Sequence, residues 1–221
     1  MIVSWNILSK YRSELMAVAI LWIMTFHVVE LKHNQLPLVI TDLYGVLFHG
    51  YIGVEIFLLL SGIGLYYSMQ KDRDIWHFYK KRLNRLIVPY LTISILFFGY
   101  HDLVISNNGG EFLKDLSMYS FWAEGDRAVW FIALLIPLYL MYPLVFKVVI
   151  SNHFWLKIIF LITLTYIGMM ILKIEDSKAY MKIEIALTRI PIFFIGGGVG
   201  RLVYEKAPLR TWLKLCFFVL S

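Results

Sequence analysis

Residues 17–27, AVAILWIMTFH, and residues 50–69, GYIGVEIFLLLSGIGLYYSM, decide the fold. Each belongs to an apolar stretch approaching the roughly 20 residues that a helix needs to cross a hydrocarbon layer about 30 Å thick. Each also carries one ionisable interruption: His27 ends the first and Glu55 lies inside the second. Such a group in a lipid-embedded helix costs about 2.5–3.5 kcal/mol on insertion scales, so it marks a reaction centre or a transport path.

Outward from these two stretches, apolar runs give six complete spans, near residues 15–31, 45–68, 87–101, 128–150, 156–172 and 186–204, and a seventh begins near Trp212. The 221 residues are 60% hydrophobic and 17% aromatic, with mean hydropathy +0.71. A soluble chain of this length would show shorter and more evenly interrupted runs. The expected fold is therefore all-α, a polytopic integral-membrane helical bundle in one domain over residues 1–221, without repeats or a soluble module. Residues 211–221, TWLKLCFFVLS, cover about half a crossing, so the expectation is a sequence shorter at its C-terminus than its relatives. No cleavable signal pattern follows the first run. The single cysteine, Cys216, excludes an intrachain disulfide and reads as packing.

Charge orients the chain. Between the second and third spans stand Lys71, Arg73, Lys80, Lys81, Arg82 and Arg85 against Asp72 and Asp74. The next connection carries Asp102, Glu111, Asp115, Glu124 and Asp126 against Lys114 and Arg127. Basic residues accumulate on the cytoplasmic side, which puts 69–86 inside and 102–127 outside, with the N-terminus, Lys10 and Arg12 inside. The net charge of +6 thus belongs to membrane orientation, and no nucleic-acid signature accompanies it.

Several residues invite a chemical role and also a plain one. Arg12 sits at the cytoplasmic boundary and His27 about 22 Å higher at 1.5 Å per residue, in the outer half of the bilayer. His27 suits a general base, because a buried imidazole stays neutral and accepts a proton; equally, it suits an interfacial histidine bonded to Glu30. Glu55, among Gly50, Gly53, Ser61, Gly62 and Gly64, could orient a histidine, pair with an arginine or relay a proton, while the glycines permit close helix contact. In FYKKRLNRLIVPY, residues 78–90, Arg82 and Arg85 are three apart, a spacing that suits phosphate oxygens or a plain positive-inside signal. Residues 129–146, VWFIALLIPLYLMYPLVF, place prolines at 137 and 143, where kinks open cavities. In ALTRIPIFFIGGGVGRL, residues 186–202, Arg189 is a snorkelling anchor or an acceptor ligand, and Gly196 to Gly200 form a small-residue contact rather than a dinucleotide loop. His33 and His49 lie in or beside the first external connection.

Taken in order, RSELMAVAILWIMTFH, GVEIFLLLSGIGL, FYKKRLNRLIVPY, WFIALLIPLYLMYPL and RIPIFFIGGGVGR resemble the integral-membrane acyltransferase 3 family, which includes O-acetyltransferases of surface glycans. The resemblance covers residues 12 to about 201. It implies a catalytic histidine at the end of the first helix, matched by His27, and basic residues after the second, matched by Arg82 and Arg85. It also implies an arginine eleven residues before the histidine; that position holds Met16, and the nearest arginine is Arg12, one turn away. The expected enzyme is a multi-pass acyltransferase of the bacterial cytoplasmic membrane. It would move an acyl group, acetyl by preference, from acyl-CoA to a hydroxyl of a cell-surface glycan or lipid-linked saccharide, with no bound cofactor and no metal. His27 would deprotonate the acceptor hydroxyl or accept the acyl group transiently, Glu55 or Arg12 would position the reacting groups, Arg82 and Arg85 would hold donor phosphates, and Arg189 would face the acceptor. A lipid-linked saccharide flippase and an inactive remnant are the alternatives.

Overall fold

The computed structural model describes residues 4–31 and 49–208. The segment from Trp212 with Cys216, the connection with His33, and the Glu30 side chain expected to meet His27 lie outside the described residues. Nine α-helices are present among the described residues, and no strand. Those labelled here are α2 (Arg12–Leu31), α3 (Ile52–Lys71), α4 (Ile75–Phe98), α5 (Gly109–Leu116), α6 (Trp130–Ile150), α7 (Phe154–Glu175), α8 (Ser177–Leu187) and α9 (Ile190–Tyr204), after a single turn, α1 (Ile7–Lys10). Among the described residues, five stretches are long and apolar enough to cross a membrane: His49–Lys71, Ile75–Ile105, Trp130–Ile150, Phe154–Glu175 and Ser177–Tyr204. They overlap the expected second to sixth spans, and the first falls in the 20-residue α2.

Two boundaries differ from the sequence expectation. The third span, expected at 87–101, belongs to a helix that already starts at Ile75, because Asp74 caps it by accepting from the Trp76 and His77 amides at 2.8 and 3.1 Å. Nothing between that cap and Pro89 breaks the helix, so the basic stretch is its first three turns. The last span is two helices: α8 starts where the Asp176 side chain accepts from the Ala179 amide at 2.9 Å, and α9 follows after Thr188–Arg189.

The described helices fall into two compact units, residues 1–67 with 192–221, and residues 68–191. In the first, glycines set the helix contacts. Gly50 lies against the Trp22 carbonyl and Phe26, and Gly53 against the Ala19 carbonyl and Ile23, so α2 and the start of α3 run antiparallel at backbone contact. On another face of α3, Gly62 meets the Phe193 carbonyl and the Gly196–Gly197 peptide, while Gly196 meets the Leu59 carbonyl and Gly200 meets Ile63 and Tyr66. Small residues serve here because apolar helices gain nothing by leaving lipid, and close van der Waals contact must supply the attraction. Leu60, Ile63, Val199 and Val203 form the buried cluster of this unit, with Leu15 and Met16 of α2 packed against it.

In the second unit α4 packs on α6 in the opposite sense. Phe78 stacks on Tyr142 at 6.0 Å between ring centroids, and the Tyr79 hydroxyl donates to the Leu140 carbonyl at 2.7 Å. Pro143 removes one amide from that turn of α6, which loosens the local ladder beside the accepting carbonyl. Beyond Phe98 the chain widens into a π-helical segment, Gly99–Ile105, and a second one, Ser120–Glu124, ends at Gly125 with φ 85°. The Lys182 side chain lies against Gly125 and donates to the Ala123 carbonyl at 2.5 Å, which pins α8 to that turn.

Candidate active site

In the first unit His27 stands exposed near the end of α2. The neighbouring Phe26 ring lies 5.2 Å away, Tyr51 meets Phe26 edge-on at 6.3 Å, and His49 lies 5.7 Å from Tyr51. The second histidine therefore belongs to the same aromatic cluster as His27, although the sequence separates them by a whole connection. Glu55 is half-buried on α3, one turn beyond Tyr51. The pairing of Gly50 with Trp22 and Phe26, and of Gly53 with Ala19 and Ile23, puts Glu55 level with about residue 19 of α2. Its backbone is then about 12 Å from that of His27 along the axis, although both side chains tilt toward one another because each points to its own helix N-terminus.

Arg12 begins α2, half-buried, and its guanidinium fills the space that a side chain at Gly64 would take: a Cβ there would stand 2.6 Å from Cζ and 2.9 Å from one terminal nitrogen. With Ser9, Ser13, Met16, Ile63 and Tyr67 it lines a cleft of ≈ 420 Å³. Met16 and Arg12 thus share one cavity, as i and i+4 on a helix must when both face the same neighbour.

In the second unit Arg82 and Arg85 differ in setting. Arg82 is half-buried, with a buried Nε, while Arg85 is exposed at one end of an apolar cleft of ≈ 480 Å³ that runs past Pro89, Ile93 and Phe97 and is closed by Ala128 and Ile132. Arg189 donates to the Ile185 carbonyl at 3.0 Å and to the Thr188 hydroxyl at 2.9 Å, and its guanidinium lies 5.3 Å over the Trp130 ring. It holds the end of α8 to the start of α6, a cation–π clamp.

Two features escaped the sequence reading. Lys71, Asp72, His77 and Lys81, read there as a topology signal or not at all, converge around a cleft of ≈ 390 Å³ with Ser68 and Phe78. The Asp72 carboxylate faces His77 Nδ1 at 2.5 Å and accepts from the Asp74 amide at 3.0 Å. That backbone bond first, and then His77, hold the Asp72 carboxyl below its ordinary range. Elsewhere Asp102, 1% exposed, turns one oxygen to His101 Nδ1 at 2.7 Å. Near it Asp115 is pushed above the ordinary carboxyl range, chiefly by burial and then by Asp102, Asp126 and Glu111. The π-helical turn that brings this acidic group together has no periodicity that a sequence displays.

These helices and ionisable groups define an all-α, polytopic membrane protein with polar centres on its apolar helices. The family model described as an acyltransferase domain matches residues 15–220, almost the whole sequence, and the chain belongs to the acyltransferase 3 family. No curated protein and no solved structure matches it.

Proposed function

We propose that this family member is an O-acyltransferase of the bacterial cytoplasmic membrane, N-terminus inside, which moves an acyl group, acetyl by preference, from acyl-CoA to a hydroxyl of a surface glycan or lipid-linked saccharide. The observation that carries this is the shared cavity of Arg12 and Met16: the guanidinium lies beside the position where the family resemblance implies an arginine, eleven residues before His27. The two halves of one helix then bear a guanidinium and an imidazole.

In the proposed reaction the His27 imidazole takes the proton of the acceptor hydroxyl as its oxygen attacks the thioester carbonyl. The carbon–sulfur bond breaks, and the coenzyme A thiolate leaves with the proton from the imidazolium. Arg82 and Arg85 hold donor phosphates through charge-assisted bonds. Arg12 is the positioning group of the first unit. Glu55, about two turns below His27, orients the reacting groups through the helix contact, and Arg189 contributes to the acceptor side from its seat on Trp130.

The test is transfer of labelled acetyl groups from acetyl-CoA to surface polysaccharide in membranes bearing the protein. His27→Ala should lower the rate by about 10²–10⁴-fold with unchanged membrane levels. A rate within a few-fold of wild type would remove His27 as the base.

A further inference from the structure

The basic residues at the turn between α3 and α4 do more than a topology signal requires. A positive-inside bias needs only lysines and arginines somewhere in the segment. Here Lys71, the last residue of α3, and Lys81, in the second turn of α4, are brought by the three-residue turn at 72–74 to the rim of one cleft of ≈ 390 Å³, with Ser68, His77 and Phe78. That is at the low end of the volumes of ligand sites, about 300–1,000 Å³, so the cleft fits one part of a larger ligand.

The cleft is preorganised for an anion. His77 is held through Nδ1 by the Asp72 carboxylate at 2.5 Å, and Asp72 is itself held by the Asp74 amide at 3.0 Å. Lys71 and Lys81 outweigh Asp72, the carboxylate in the cleft wall. The first turn of the 24-residue α4, capped by Asp74, supplies His77 and Phe78. Phe78 is 3% exposed and stacked on Tyr142, so the floor is rigid.

We propose that this cleft binds the terminal phosphomonoester of the acyl donor, with Lys71 and Lys81 as its ligands and Ser68 as a further hydroxyl donor. The inference rests on the reading of the donor as acyl-CoA, a molecule with a diphosphate and a separate 3′-phosphate on its ribose. Arg82 and Arg85 are assigned to the diphosphate. The same chemistry would suit the phosphate of an anionic lipid headgroup, since Lys71 ends a membrane span.

The experiment compares acetyl-CoA with 3′-dephospho-acetyl-CoA, by calorimetric titration of the full chain in nanodiscs of a neutral lipid and of the same lipid with added phosphatidylglycerol. Wild type should prefer the phosphorylated donor by about tenfold to a hundredfold, the effect of one or two charge-assisted bonds. Lys71→Gln/Lys81→Gln should bind both donors at the wild-type dephospho affinity, and Lys71→Arg/Lys81→Arg should restore the preference. Equal binding of the two donors by wild type in neutral lipid, a preference that survives the Gln pair, or an equal loss for both donors would each overturn the assignment. A preference abolished by phosphatidylglycerol would give the cleft to lipid and overturn it too. Failure of wild type to bind either donor would instead sink the acyl-CoA reading.

Discussion

Replacing Gly62 with alanine tests whether α3 and α9 meet at backbone contact. A Cβ built there stands 2.7 Å from the Phe193 carbonyl oxygen, 2.8 Å from the Gly196 carbonyl carbon and 2.8 Å from the Gly197 nitrogen. None of these atoms ends a flexible side chain, so relief requires the helices to part. Reaching an ordinary 3.4 Å contact opens the pair by about 0.6 Å, and a gap of that order forfeits roughly a quarter to a half of each dispersion well along the seam. Overpacking costs about 1–3 kcal/mol; with backbone facing the new methyl, the upper part of the range applies, about 2–3 kcal/mol. The folded-to-unfolded ratio should fall about thirty- to a hundred-and-fiftyfold. Gly64→Ala is the internal comparison, because the three atoms nearest its Cβ all belong to the end of the Arg12 side chain, which can swing away. It should be nearly neutral for stability while lowering acyl transfer, since Arg12 leaves its cleft. Gly168→Ala, with nothing within 4 Å, should stabilise α7 by about 0.5–1 kcal/mol. Denaturant titration in mixed micelles, followed by tryptophan fluorescence, reads all three. If Gly62→Ala and Gly64→Ala fall within about 0.5 kcal/mol of each other, a margin well below the overpacking range, the close packing of α3 on α9 is wrong.

Two further outcomes follow from the titratable groups outside the spans. Burial raises the Asp115 carboxyl, so the folded state binds its proton more readily than the unfolded one, and stability falls as pH rises through the interval above about 3.9. Asp115→Asn should accordingly stabilise the protein at pH 7, and the advantage should vanish below about pH 4 in thermal melts; an equal advantage at both pH values would contradict the assignment. Asp72 has the reverse sign: its lowered carboxyl contributes stability that is present above about pH 4 and is lost as pH falls through the folded value. Asp72→Asn should be less stable than wild type at pH 7 and converge with it in acid, and a difference independent of pH would refute the pairing with His77 and the Asp74 amide.

The membrane class and the apolar spans within α3, α4, α6, α7 and α9 could be read from sequence because transfer of an apolar run into lipid is nearly a sum over residues, with no need to know which run meets which. The glycines of α3 and α9 could be read for the same reason: a missing Cβ advertises a close contact, though not the partner. His27, Glu55, Arg12, Arg82, Arg85 and Arg189 stood out as charges or titratable groups at costly positions, again a local property.

What the tertiary structure decided is every statement about neighbours. Arg12 lies on Gly64 because antiparallel packing, set by Gly50 and Gly53, brings the start of α2 beside the later turns of α3. His49 joins the aromatic cluster of His27 through Tyr51, and Arg189 settles on Trp130, across intervals of sequence that carry no periodic signal. Lys71, His77 and Lys81 surround one cleft because a three-residue turn reverses the chain between two helices. Helix register and turn geometry are cooperative outcomes of packing, so no single residue encodes them. The sequence by itself therefore determined which segments enter the membrane and which side chains make that costly, and only the packed chain decided which of those side chains share a cavity.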